Sequence, residues 1–407
     1  MSLSRPRALA ALAILAVLAY APALSLPLIE DDYPMITEGQ AYGSAAGFPV
    51  LWANTVFRVR ATSYWTTGLL WKTFHLNPAA FHAASLALHI LNTWLVYALA
   101  LAWPRMRAGA LWAGVFFAVA EGHQEAVMWY TAINELLVFG FGIGALVCWL
   151  DRRRWLRVAG VVFYALACLS KETAVIIPAF LLLIVPRAEW RRALPRAAPY
   201  LLLAAATAGA LALARTTSFR FSDGSFSLAA PFWITWPRGI WRVLWIWGVP
   251  AGALALYRAE TREAALRALA WTGMALVPYS FLTYSTEIPS RQTYLASTGL
   301  ALLFGLAMTQ VQNRRMVAAV LMLVLVHNVG YLWIRKRRQF LERAAPTEQL
   351  IALARRTPGP IYVRCFPRVR YIAEEAVHVA AGKSPRDVIW NADEAKARGA
   401  TAEFCWR

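Results

Sequence analysis

Asp31 and Asp32 stand just past the first apolar run of the chain. A carboxylate is costly near a bilayer unless it lies at the interface, in a cavity or at a functional site. A partly desolvated one has the raised pKa that suits a general base for an acceptor hydroxyl. The plainer reading is a solvated turn, where Asp is common. Glu121, His123 and Glu125 follow the third apolar run. They could hold sugar hydroxyls, orient a base or bind a divalent cation, although their spacing is not that of a regular ligand set; a polar loop leading into the next helix is the alternative. Asn134 and Glu135 open that helix and fit its capping. Lys171 and Glu172 break what would otherwise be one apolar run over 155–186. Lys171 could bind a phosphate as a point charge, and this is favoured over a hairpin whose charges snorkel to the interface. Arg291, in PSRQTY, has the fork geometry for a phosphate, or else anchors the interface beside Tyr294. Arg215, Arg220 and Arg238, around 215–237, offer the same chemistry more weakly. His82 and His89 share one helical face and read as a polar stripe turned to the bundle interior.

The elements that must position these groups are membrane spans. The chain has 407 residues, of which 59% are hydrophobic and 15% charged, the signature of a multi-spanning membrane protein. The 19 Trp and 15 Tyr suit interfacial belts. The net charge of +19 would point to nucleic acid in a soluble protein, but here much of the excess lies in short loops, where it sets topology and can attract anionic headgroups or phosphates. Nucleic acid is therefore not expected as a partner. Cys148 and Cys168 sit in apolar runs as small core residues. Cys365 and Cys405 lie in the polar tail and could pair if the tail is extracytoplasmic. No CxxC spacing occurs, which argues against zinc.

Hydropathy predicts about eleven spans, with limits near 8–28, 81–103, 108–120, 133–150, 155–169, 173–186, 197–214, 238–257, 265–284, 294–310 and 315–334. The first reads as an uncleaved anchor rather than a signal peptide, because its apolar part is long enough to span. Alternate loops carry the arginines: Arg5 and Arg7, Arg105 and Arg107, Arg152 to Arg154, Arg187 to Arg196, Arg258 to Arg267, Arg314 and Arg315. The positive-inside rule makes these cytoplasmic. The remaining loops, 29–80, 121–132, 170–172, 215–237 and 285–293, hold the unusual polar residues and fall outside. The run Arg335, Lys336, Arg337, Arg338 disagrees, since eleven spans put it outside as well. The first loop, 29–80, is too long for a connector, and 47–72 reads as amphipathic helix at the interface. From 339 the chain turns polar; the strand-like IYVRCF (361–366) between helix-like 347–356 and 370–381 predicts a small α/β appendage. The division expected is a transmembrane domain over 1–338 and a soluble domain over 339–407.

Several segments carry a family resemblance. DDYPMI (31–36), AFHAASLALHILNTWLVYAL (80–99), FFAVAEGHQEAVMWYTAINELL (116–137), SKETAVIIP (170–178) and SRQTYLASTGL (290–300) occur in this order. Together they resemble the motifs of membrane glycosyltransferases with the GT-C fold, in particular the transmembrane O-mannosyltransferases that carry TPR repeats and their bacterial relatives. More distantly the layout is similar to protein O-mannosyltransferases and the aminoarabinose transferases of lipid A. The sequence departs from the pattern at Ala120, Glu121 and Asn134, and no TPR repeat follows the last span.

The resemblance implies an all-α polytopic bundle in a bacterial inner membrane. It implies inverting transfer of a hexosyl, possible mannosyl-type, group from a polyprenyl phosphate such as undecaprenyl phosphate to a protein, glycan or lipid hydroxyl on the extracytoplasmic face. By the same resemblance Asp31 or Asp32, with Asp31 preferred, is the base. Lys171 and Arg291 hold the carrier phosphate, and Glu125 with His123 lines the sugar or acceptor side. Apart from the resemblance, Glu121, Glu172 and Tyr294 are taken as further substrate-binding candidates by their place beside these residues. No cofactor is obligatory, because the leaving group is already a good anion, though a divalent cation remains open. The rival readings are a transporter or flippase of lipid-linked glycans, which would show polar pathway residues at both faces or repeated halves, and a non-catalytic scaffold.

Overall fold

In the computed structural model, residues 4–55, 57–151, 153–214 and 226–406 are described. Every apolar run becomes helix. Arg5–Ser25, Pro78–Ala102, Tyr130–Leu150, Arg187–Leu213 and Arg314–Arg356 are each long and apolar enough to cross a membrane. Arg107–Val119, Glu172–Ile184 and Ser297–Gln310 are shorter apolar helices, packed with Arg154–Cys168 and Ala259–Leu276. Local signals set several ends. Asn77 caps the helix opened by Pro78, its side chain accepting from the Ala79 amide at 3.1 Å, and Asn313 does the same for the helix from Arg314. The core between the helices is aromatic-rich, with Phe180 stacked on Trp271 at 3.9 Å between centroids.

Two expected spans take other shapes. The 238–257 run is not one straight crossing: Phe232–Leu244 and Gly248–Tyr257 meet at 83°. Pro250, in the first turn of the second helix, has no N–H to continue the ladder of the first. The 265–284 run is α-helical only to Leu276 and tightens into 3-10 turns over Val277–Phe281.

The loops sort into two sets in space as they do in sequence. In the first loop, Asp32–Tyr42 packs along Ala61–Phe74 with almost no separation: a Cβ on Gly43 would meet Gly68 Cα at 2.7 Å, and one on Gly68 would meet Gly43 Cα at 2.8 Å. Only glycine permits that approach. The first loop then meets the other loops of its set. Thr62 Oγ1 bonds Ser170 Oγ at 2.7 Å, and Arg60 pairs with Glu172 at 3.3 Å. Residues of the arginine-rich set meet one another instead: Arg105 and Arg267 both pair with Glu263, at 2.6 and 2.9 Å. They line a cavity of about 460 Å³ with Arg187, and none of the expected site residues borders it.

The long helix Arg314–Arg356 runs through a π-helical stretch, Tyr331–Lys336, and carries Arg335 to Arg338 within it. The boundary expected at 338/339 therefore falls inside a helix. Beyond it come β1 (Ile361–Cys365), the helix Arg370–Ala381, β2 (Val388–Ile389), a short helix Ala392–Ala397 and β3 (Ala402–Cys405). The sheet order is β2-β1-β3 with both pairings parallel, so helices make the crossovers. Leu350 and Ala354 of the long helix join Ile361, Val363, Val377 and Phe404 in the core of this unit. A disulfide joins Cys365 to Cys405 across β1 and β3.

Candidate active site

The turn entering Asp32–Tyr42 is built by Asp32 itself. Its side chain is 0% exposed. Oδ2 accepts from the Ile29 amide at 2.8 Å, and Oδ1 accepts from the Thr131 amide and hydroxyl, both at 2.7 Å. One carboxylate thereby ties the first loop to the 121–132 loop. Burial pushes its pKa up to about 7, against the pull of those hydrogen bonds. Asp31 differs. It is partly exposed, and its Oδ1 accepts from the Tyr371 hydroxyl at 3.1 Å. Burial raises its pKa above the ordinary value, and the negative Glu30 adds to this; the Tyr371 hydrogen bond and the positive charges of Arg291 and Arg343 oppose it.

Glu30 precedes the pair in the left-handed region, at φ 46°. Two arginines grip its carboxylate. Arg343 donates through Nε at 3.2 Å and Nη2 at 2.6 Å, and Arg368 approaches Oε1 through Nε at 2.8 Å. Burial would raise the pKa of Glu30, but the two guanidiniums carry it below the ordinary value. Arg343 also lies over the Trp129 ring, 4.6 Å from its centroid, and Arg291 lies over the same ring at 4.7 Å. Arg291 is held in turn by Glu125, whose Oε2 accepts from its amide at 3.2 Å and sits 3.6 Å from its guanidinium. Asp31, Glu30, Glu125, Trp129, Arg291 and Arg343 thus form one connected cluster.

The other expected residues lie around it with different roles. Glu121, His123 and Glu125 diverge rather than converge. The Glu121 amide donates to Asn328, His123 Nε2 meets Ser297 Oγ at 2.6 Å, and only Glu125 reaches the arginine cluster. His123 is buried against Phe117 and Tyr294, with centroids 4.4 and 4.6 Å away, and burial lowers its pKa well below the ordinary value. Tyr294 is likewise buried, bonded to His89 at 2.8 Å. His82 and His89 are both buried, as the stripe reading expects. Lys171 and Glu172 do not pair with each other. Glu172 binds Arg60, while Lys171, 5% exposed, binds Glu135 and lies 5.0 Å from the Tyr279 ring centroid. Glu135 is therefore no helix cap; its second oxygen accepts from Tyr279 at 2.7 Å. Arg238 bonds Thr286 at 2.8 Å, and Arg215 and Arg220 lie outside the described residues. Among the described residues no group of three or more His, Cys, Asp or Glu is placed to hold a metal ion.

Sequence reading missed Glu30, Trp129, Arg343, Arg368 and Tyr371, and took Glu135 for a cap. Glu135 could have been found as the one acid on an apolar helix able to balance Lys171. The C-terminal residues offered no such signal.

No family model matches the chain, and no curated protein matches it by sequence. Solved structures do. ArnT from Cupriavidus metallidurans bound to undecaprenyl phosphate superposes with a TM-score of 0.61 at 15% identity, over 95% of this chain and 89% of that one. Its apo state gives 0.58 over the same shares. The Archaeoglobus fulgidus oligosaccharyltransferase in the apo form gives 0.56 at 11% identity, over 93% of this chain and 64% of that one. The chain is a multi-pass membrane protein with the GT-C fold, a helical bundle that carries a small C-terminal α/β unit.

Proposed function

We propose that the chain is an inverting glycosyltransferase that moves a sugar from a polyprenyl phosphate to a hydroxyl acceptor, with Asp31 as the base. The observation that carries this is the contrast between the two aspartates. Asp32 spends both oxygens on the turn, while Asp31 is partly exposed within the electrostatic reach of Arg291. Similarity in fold to a protein solved with undecaprenyl phosphate supports the donor class. The acceptor oxygen gives its proton to Asp31 as it attacks the anomeric carbon. The bond from that carbon to the phosphate oxygen breaks, and the electron pair leaves on the polyprenyl phosphate. Arg291 stabilises the leaving anion. Lys171 is buried against Glu135, whereas the Arg291 side chain is 27% exposed and its guanidinium sits 3.6 Å from Glu125, so Arg291 is the cation assigned to this step. Glu125 holds Arg291 in place, while His123 and Tyr294 pack on each other in the bundle interior. The extracytoplasmic face is supported by the loop charges and by a disulfide in the unit that touches Asp31. The acceptor is left as a protein, glycan or lipid, and the sugar as a hexose.

The test is release of polyprenyl phosphate from polyprenyl-phosphate hexoses by the purified full chain, in membrane extract as acceptor source. Asp31→Asn should lower release by about 10²- to 10⁴-fold with an unchanged melting temperature. Asp32→Asn should lower the melting temperature, because an amide turns one acceptor oxygen into a donor facing another donor. Full activity in Asp31→Asn would overturn the assignment.

A further inference from the structure

The cluster around Asp31 is not complete within the membrane bundle. Glu30 sits in a backbone region that non-glycine residues rarely occupy. The bonds between Ile29 and Asp32 bracket the turn locally, while the Glu30 side chain is held from the far end of the chain. Arg343 lies in the last turns of the long helix, and Arg368 lies between β1 and the helix Arg370–Ala381. Tyr371, in the first turn of that helix, donates to Asp31. Thr37 to Glu375 at 2.6 Å and Tyr33 to Glu348 at 3.2 Å extend the same contact along Asp32–Tyr42. The disulfide pins the end of β1, three residues before Arg368.

We infer that the C-terminal unit completes the active site, with Arg343, Arg368 and Tyr371 as positioning residues that fix the orientation and charge of Asp31. The inference rests on the reading of Asp31 as the base. Its chemistry is direct. The two guanidiniums hold Glu30, and Glu30 fixes the backbone from which Asp31 projects. Tyr371 gives a hydrogen bond that favours the ionised carboxylate, the form that can take a proton. The charges facing Asp31 are Glu30 and Asp32 on its own turn, Glu38 on the following helix, Arg291 from the 290–293 turn and Arg343 from the long helix. Removing Tyr371 or Arg343 takes away a group that favours ionisation and leaves the opposing ones, so Asp31 must titrate higher.

The test measures Asp31 directly and needs no known acceptor. The full chain in detergent is treated with a carbodiimide, which modifies protonated carboxyls, across a pH series, and modification of Asp31 is read by mass spectrometry. Tyr371→Phe keeps the ring and should move the midpoint up by about 0.5–1 pH unit. Arg343→Gln should move it in the same direction, and Arg343→Lys, which keeps the charge, should return it toward the wild-type value. A midpoint unmoved or lowered in both Tyr371→Phe and Arg343→Gln overturns the inference, as would faster polyprenyl phosphate release by Tyr371→Phe, which would make Tyr371 a plug. Asp31→Asn run in parallel separates the two claims. If it keeps full activity the reading of the base fails, whatever the titration shows.

Discussion

Asp31 and Asp32 are neighbours of one chemical type whose surroundings divide their work. Asp32 is enclosed and satisfied by three donors from two loops, which makes it a brace. Asp31 is partly exposed, and its carboxylate takes a hydrogen bond from Tyr371 rather than from the turn. Its environment also fixes the pH dependence. Burial places its pKa above the ordinary carboxylate value of 3.8. With Asp31 as the proposed base, only its ionised form accepts a proton, so activity should be present above the raised pKa and lost as pH falls through it. The acid limb of the kcat/KM profile should therefore lie above the ordinary carboxylate range. A limb at or below 3.8 would show that another group, or a differently solvated Asp31, limits the rate.

At the scale of elements, the buried pair of Lys171 and Glu135 joins the start of Glu172–Ile184 to the start of Ile133–Leu150. Their side chains are 7% and 4% exposed, so removing one partner strands a charge. Glu135→Leu alone should destabilise by about 3–5 kcal/mol, while Lys171→Met with Glu135→Leu should be close to neutral; thermal melts of both variants check this. The helices were legible in the sequence, because apolar runs near bilayer length leave the backbone few alternatives. The bend between Leu244 and Gly248 was not, since hydropathy carries no direction. Asp31, Glu125 and Arg291 were legible as polar exceptions on apolar ground. Arg343, Arg368 and Tyr371 were hidden for the opposite reason: they lie in polar sequence, where an arginine or tyrosine draws no notice, and the contacts that define them span more than 300 positions.

For the whole molecule, the contacts of Tyr371 and Arg343 place the C-terminal unit at the same end as the first loop. That placement is what the odd number of crossings expected from hydropathy gives, and it accommodates Arg335 to Arg338, which the long helix carries toward that end. Alkaline phosphatase fused after Arg407 should accordingly be active in cells, and a fluorescent reporter that matures only in the cytoplasm should be dark there; the reverse pattern would place the unit inside. The distance along the chain between the two halves of this contact has a kinetic meaning. Glu30 and Arg343 are 313 positions apart, and Asp31 and Tyr371 are 340 apart. At ribosomal rates of about 5–20 residues per second, the first loop waits roughly 15–70 s after its synthesis before its partners exist. During that interval the nascent chain already holds its aspartates and the local bonds of the Ile29–Asp32 turn, but the Glu30 carboxylate lacks its two arginines. The clasp is the last part of the site to assemble, and it closes only around a chain whose intervening helices have all been threaded.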